Sequence, residues 1–188
     1  ASGRFYAGSM ASRRDGQETP GAFYVLDTDG ECRKLLEPVG TSNGLAWSAD
    51  NRTLYYIDTP TQEVSAFDYD ETTGDISNRR VAVHFDEDLG RPDGMTIDEN
   101  GNLWVAFFGG AKVRCVDPRT GTHLAEIPIP SQNVTSCCFG GPDYTTLFIT
   151  TARIHTPDDK AGSYPNAGGI FAADPGVRGF PLHRFGSD

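Results

Sequence analysis

An all-β fold built from a repeated strand unit follows from three observations. Apolar and polar residues alternate in short runs along the 188-residue chain, and no stretch holds a 3.6-residue period for more than two turns. Turns rich in Asp, Pro and Gly separate those runs at regular intervals. One phrase is also written three times, a short polar or small-residue string leading to an apolar, mostly aromatic strand. Its copies are Ser42-Asn43-Gly44-Leu45 before Leu54-Tyr55-Tyr56-Ile57, Pro92-Asp93-Gly94-Met95 before Leu103-Trp104-Val105-Ala106, and Thr135-Ser136-Cys137-Cys138 before Leu147-Phe148-Ile149-Thr150. Asn43 precedes Leu54 by eleven residues, Asp93 precedes Leu103 by ten and Ser136 precedes Leu147 by eleven. Leu54 to Leu103 is 49 residues, and Leu103 to Leu147 is 44. A period in the forties made of short strands is the mark of a β-propeller, whose blades surround an axial channel. Equivalent polar positions of successive blades then face one axis.

The elements follow in order. Gly3-Arg4-Phe5-Tyr6-Ala7-Gly8 matches the second strand of a unit, so the first unit lacks its opening strand. Third strands ending in aspartate are Ala22–Asp27, Val64–Asp68, Val113–Asp117 and Gly169–Asp174. Turns follow at Thr28-Asp29-Gly30, Thr72-Thr73-Gly74, Pro118-Arg119-Thr120-Gly121 and Pro175-Gly176, then fourth strands at Leu35-Leu36, Arg80–Val83 and Leu124–Ile127. The last unit keeps only a stub, Pro181–Phe185, for its outer strand. About four units result, as a single partial propeller domain over residues 1–188, within the known range of about four to eight blades. A chain that enters a blade part-way reads as a piece of a longer protein, with the N-terminal blades absent. A cut ring exposes apolar faces and unpaired strand edges, so low stability and little or no activity are expected of this stretch alone.

Composition narrows the partners. With 16 basic and 26 acidic residues the net charge is −10, which excludes the positive footprint that nucleic acid needs. An acidic surface suits solubility and cation binding. No run approaches the ~18 apolar residues of a membrane helix, and no membrane partner is expected. No feature fixes an oligomeric state. Cys32, Cys115, Cys137 and Cys138 show no metal spacing; neighbouring Cys137 and Cys138 point to opposite faces of one strand. Reduced thiols in a cytoplasmic protein are the expectation.

Eight strings carry a resemblance: Gly8-Ser9-Met10, Ser42 to Ser48, Tyr55 to Asp58, Phe67 to Asp70, Ile76 to Arg80, Pro92 to Met95, Thr135 to Gly141 and Ala167 to Phe171. In order and spacing they closely resemble the regucalcin family, also called senescence marker protein 30 or gluconolactonase-like. The resemblance runs from about Gly3 to the end. It implies a six-bladed β-propeller, one divalent metal in the central channel, and hydrolysis of sugar lactones such as D-glucono-1,5-lactone. It also implies that this chain matches the C-terminal two-thirds of such a protein. The family's metal ligands map onto Asn43 and Asp93, with a third, a glutamate, upstream of this chain. An amide oxygen and a carboxylate are hard ligands suited to Ca²⁺, Mg²⁺ or Mn²⁺, with Zn²⁺ also admissible through oxygen.

The mechanism implied has the metal polarising the lactone carbonyl while Asp93 acts as general base toward water. Asn43 cannot titrate and holds geometry. Ser136, placed by spacing at the same repeat position, is a channel-lining residue; no matching His or nucleophile elbow supports it as a nucleophile. Where the family carries a substrate-contacting glutamate after its G-[ST]-M string, this chain reads Ala11-Ser12-Arg13-Arg14-Asp15. Arg13 is therefore a weak candidate for substrate contact, against the plainer reading of a solvated arginine, and gluconolactone itself is a less secure substrate than lactones as a class. The competing functions are a calcium-binding regulatory protein without turnover, and a related lactone or ester hydrolase with another substrate.

Plainer roles fall to other conspicuous residues. Asp58, Asp68, Asp98 and Asp117 are expected to bond nearby backbone N–H groups. The four histidines share no repeat position, which argues against a histidine metal cluster. Trp47 and Trp104 are expected in the core. The segment His155–Asn166 is expected as a lid or a surface loop.

Overall fold

Two-residue periodicity becomes sheet wherever successive side chains can bury against a neighbour, and here each sheet finds one on the next repeat. A computed structural model describes residues 2–14, 16–156, 162–181 and 183–186. The first sheet is β1 (Phe5–Gly8), β4 (Gly21–Leu26) and β5 (Cys32–Val39), in that order. Between β1 and β4 the chain makes a small ribbon, β2 (Ser12–Arg14) against β3 (Gln17–Thr19), which the periodicity did not signal.

A complete four-stranded meander follows: β6 (Ser42–Trp47), β7 (Thr53–Asp58), β8 (Glu63–Tyr69) and β9 (Ile76–His84). The third unit is β10 (Arg91–Ile97), β11 (Leu103–Phe108), β12 (Lys112–Asp117) and β13 (Thr122–Pro128). The fourth is β14 (Asn133–Gly140), β15 (Thr146–Ala152) and β16 (Ile170–Ala173). All pairings are antiparallel, and the single pair Phe108–Asn133 joins the last two units into one seven-stranded sheet. The turns after β8 and β12 close on Gly74 (φ 76°) and Gly121 (φ 73°), conformations that a Cβ disfavours. The outer stub expected at Pro181–Phe185 is not a strand among the described residues; instead Gly179 bridges Asp98 of the neighbouring unit. Pro181 has no N–H to donate to a ladder.

The core is not one mass but three layers, each between successive sheets. Phe23 and Val39 meet Leu54, Tyr56 and Phe67. Ala46, Ile57, Val64, Val83 and Phe85 meet Met95, Ile97, Leu103, Val105 and Phe107. Trp104, Ala106, Val113 and Cys115 meet Val134, Cys137, Phe139, Leu147 and Ile149. Alternation therefore sends Leu103, Val105 and Phe107 of β11 one way and Trp104 and Ala106 the other, so β11 is buried on both faces. The outer strand β13 is nearly all exposed.

Aspartates organise the turns. Buried Asp98 accepts backbone N–H bonds from Asn100 and Asn102 (both 2.9 Å) and the Trp104 indole N–H at 3.0 Å. Asp117 accepts from the N–H of Arg119 at 2.9 Å. Asp58 accepts from the N–H groups of Gly40 (2.9 Å) and Thr41 (2.7 Å). Asp68 departs from the expectation: its partners are side chains, Asn78 at 2.8 Å and Arg80 at 2.7 Å. Trp104 is core, whereas Trp47 is only half-buried, stacking edge-on to Tyr6 at 5.0 Å. All four cysteines are free; Cys137 is buried and Cys138 exposed, on opposite faces as expected, and burial pushes the Cys115 thiol up to about 12. The segment His155–Asn166 lies partly outside the described residues, at 157–161.

Candidate metal centre

The inner strands β6, β10 and β14 each carry the same irregularity. Ser42 pairs with Asp58 and Leu45 with Tyr56, so Asn43 and Gly44 together oppose Ile57. Pro92 pairs with Phe107 and Met95 with Val105, so Asp93 and Gly94 oppose Ala106. Val134 pairs with Thr151 and Cys137 with Ile149, so Thr135 and Ser136 oppose Thr150. Two residues against one is a β-bulge, which re-aims side chains out of the regular pleat and recurs beside functional sites.

Asn43 and Asp93 thus occupy one register position on neighbouring inner strands, as their spacing suggested. Thr135, not Ser136, is their counterpart in the fourth unit. Ser136 instead matches Gly44 and Gly94. The slip arises because Leu54, Leu103 and Leu147 pair with Trp47, Ile97 and Phe139 across six, five and seven intervening residues, so distance to that leucine misplaces the residue by one.

The two glycines matter because the inner strands approach closely here. A Cβ on Gly44 would stand 2.7 Å from Met95 Cγ and 2.9 Å from the Asp93 carbonyl oxygen. A Cβ on Gly94 would overlap the Ser136 side chain and lie 2.8 Å from its Cα. Only glycine lets successive bulges converge on the axis. The result is an open cleft of about 310 Å³, with Ser42, Asn43, Asp93, Met95, Thr135 and Ser136 in its wall. Arg13 is not brought to it; it sits exposed on the β2–β3 ribbon opposite Glu18.

Asn43 and Asp93 are held in unlike ways. Asn43 Nδ2 donates to Thr59 Oγ1 at 2.7 Å, and Thr59 Oγ1 in turn donates to the Pro92 carbonyl at 2.8 Å. Thr59 stands in a 3₁₀ turn, Thr59–Thr61, directly after Asp58, and its own N–H is bonded to the Thr41 carbonyl at 3.0 Å. Sequence reading missed Thr59, because its role rests on contacts to residues 16 and 33 positions away. Asp93 has no ion pair among the described residues. Burial pushes its carboxyl up to about 6, and the backbone N–H of Gly94 pulls weakly the other way.

A half-buried carboxylate without a cation, beside an amide with one end already committed, is a donor set that fits a hard divalent ion. These two side chains supply only part of a coordination shell, and the described residues hold no cluster of three or more His, Cys, Asp or Glu that could complete one.

Successive antiparallel units around bulged inner strands, with Asn43 and Asp93 at one register position, define a β-propeller-type protein. Residues 1–153 match the SMP-30/gluconolactonase/LRE-like region, and the chain belongs to that family. The YvrE protein of Bacillus subtilis, whose name assigns it provisionally to the sugar lactone lactonases, is 42% identical over 99% of this chain and 63% of its own length. The luciferin-regenerating enzyme superposes with a TM-score of 0.88 at 34% identity, over 98% of this chain and 62% of that one. Regucalcin of Agrobacterium tumefaciens, described as a calcium-binding protein, gives 0.86 at 29% identity over the same shares. The chain therefore spans a little under two-thirds of the length of the curated relatives it matches.

Proposed function

We propose that this chain carries the greater part of the active site of a divalent-metal-dependent lactonase acting on sugar lactones. One observation carries the reading: Asn43 and Asp93 share a bulged register position on adjacent inner strands, in the wall of one cleft, with Asp93 half-buried and without a cation partner among the described residues. A relative assigned by name, provisionally, to the sugar lactone lactonases supports the same reading.

In this reading Asn43 Oδ1 and an Asp93 oxygen would hold one divalent ion, with the rest of its shell supplied by other groups. The ion, when bound, supplies Lewis acidity toward the lactone carbonyl oxygen. Asp93 removes a proton from the water that attacks the carbonyl carbon, a role typically worth ~10²–10⁴-fold in rate. A carboxyl that burial holds near 6 is a better base than one at its ordinary value, and it is still mostly ionised at neutral pH. The hydroxyls of Ser42, Thr135 and Ser136 give the cleft wall neutral hydrogen-bonding groups, in keeping with a polyhydroxylated small-molecule partner. Four unpaired thiols agree with a reducing, cytoplasmic setting.

A second reading, calcium binding without turnover, is favoured by the description of the Agrobacterium relative as a calcium-binding protein. Hydrolysis of D-glucono-1,5-lactone, with and without Mn²⁺, Ca²⁺ and Zn²⁺, separates the two. It is measured on this chain and on a longer version carrying the part of the relatives' length that it does not span. Metal-dependent turnover lost in Asp93→Asn supports the lactonase. Metal uptake with no turnover by either version supports the binding protein.

A further inference from the structure

The two candidate ligands differ in one elementary respect. A carboxylate offers the same oxygen at both ends, so either rotation about its last torsion presents an acceptor. An amide offers an oxygen at one end and an NH₂ at the other, and only the oxygen can ligate a cation. Asn43 therefore needs its amide orientation fixed, and Asp93 does not.

Thr59 supplies what that requires. Its hydroxyl has a single proton, and this goes to the Pro92 carbonyl, which can only accept (2.8 Å). Toward Asn43, 2.7 Å away, the same hydroxyl can then only accept, so the side facing Thr59 must be Nδ2. Oδ1 is left as the end of the amide not committed to Thr59. Were the amide reversed, two oxygens would compete for one proton and one would lose its bond, a penalty of the size that removes most of a population.

The register supports the same assignment. The residue after Asp58 is Thr59, and the residues at the equivalent place in the next two units are Phe108 and Ala152. Among these three units a hydroxyl thus stands at this position only in the one that carries the amide; in the Asp93 unit the place is taken by a phenyl ring, near His155. The Pro92 carbonyl belongs to the peptide that leads into Asp93, so the same hydroxyl also ties the two inner strands together at the ligand position.

We propose that Thr59 is a positioning residue: its hydroxyl orients the Asn43 amide so that Oδ1 serves the cation, and it tethers that amide to the strand carrying Asp93. The proposal rests on the metal-site reading given above.

Its test is a set of variants measured with Ca²⁺ and Mn²⁺ by titration calorimetry, with the Asn43 side-chain amide followed by NMR without metal. In the unmodified protein, the Asn43 Nδ2 protons should show contacts to the Thr59 methyl and slowed solvent exchange. In Thr59→Val those signs should vanish and metal affinity should fall about tenfold, the size of one lost hydrogen-bond preference. Thr59→Ser, which restores the hydroxyl, should bring affinity back to within about twofold. In an Asn43→Asp background, where both ends are oxygen, Thr59→Val should change affinity by less than about twofold.

Equal losses from Thr59→Val with and without the Asn43→Asp substitution, or failure of Thr59→Ser to rescue, would overturn the orienting role. So would Nδ2 protons remote from the Thr59 methyl in the unmodified protein, a result that stands even if Thr59→Val does not fold. If neither this chain nor its longer version takes up Ca²⁺ or Mn²⁺, the metal reading fails separately, and the NMR contacts still decide whether Thr59 holds the amide.

Discussion

Asn43 and Asp93 sit at the same place in two consecutive repeats, yet the protein treats them oppositely. The Asn43 corner is tied down: its amide nitrogen is bonded, the bonding hydroxyl is itself bonded, and the turn behind it is pinned by Asp58 on two backbone N–H groups. The Asp93 corner is left less settled, with a half-buried carboxyl, no cation partner among the described residues, and one backbone N–H as its opposing influence. A neutral group costs little to bury when its hydrogen bonds are met, so that corner can be finished in the metal-free fold. In the proposed metal site, a protein cation paired with this carboxylate would cancel its affinity for a bound ion. Destabilisation concentrated at one residue is how a fold holds binding energy in reserve.

The largest effect should come from breaking the Asp93 side. Asp93→Asn is expected to lower metal-dependent lactone turnover by at least ~100-fold, read from initial rates on whichever version of the chain is active. The convergence of the two corners should be nearly as sensitive. Gly94→Ala drives a methyl into the Ser136 backbone and should destabilise by about 1–3 kcal/mol in urea melts. Gly162→Ala, with open space around it, should stay within ~0.5 kcal/mol.

Proton competition comes next. Below the Asp93 value of about 6, apparent metal affinity should fall about tenfold per pH unit, because the proton and the cation claim the same carboxylate. The metal-free fold should show the reverse side of this. Its folded-state value is raised above the ordinary one, so the associated stability is present at low pH and is lost as pH rises from about 4 through about 6. Asp93→Asn should therefore melt higher than the unmodified protein at pH 7.5 and alongside it at pH 4, in the absence of metal. An unchanged difference between the two pH values would mean the carboxyl is not desolvated. The smallest effect belongs to Arg13→Ala: outside the cleft wall, it should leave metal affinity within about twofold.

Legibility differed between strands and site for physical reasons. Strands β4, β7, β8, β11, β12 and β15 were readable because short apolar or alternating runs bounded by turn residues are local and survive in the linear order. The β2–β3 ribbon was not, since Ser12, Arg13, Gln17, Glu18 and Thr19 are all exposed and so carry no apolar pattern. Asn43 and Asp93 could be singled out because a repeat preserves position and because the strings around them carry the family resemblance. Thr135 was missed in favour of Ser136 because the leucine used as the counting mark sits one ladder position further along its strand, counted from the turn, in the fourth unit, and only the strand pairing counts from the correct origin.

By itself the sequence determined the repeat, the antiparallel meander and the two side chains whose chemistry suits a hard cation. These depend on residue type and on spacing along one strand or hairpin. The tertiary structure alone decided that Thr135 shares the register position of Asn43 and Asp93, that Gly44 and Gly94 let the inner strands converge, and that Thr59 faces the Asn43 amide. Each of those is a relation between residues of different strands or sheets, fixed by distances of a few ångströms that no local pattern encodes.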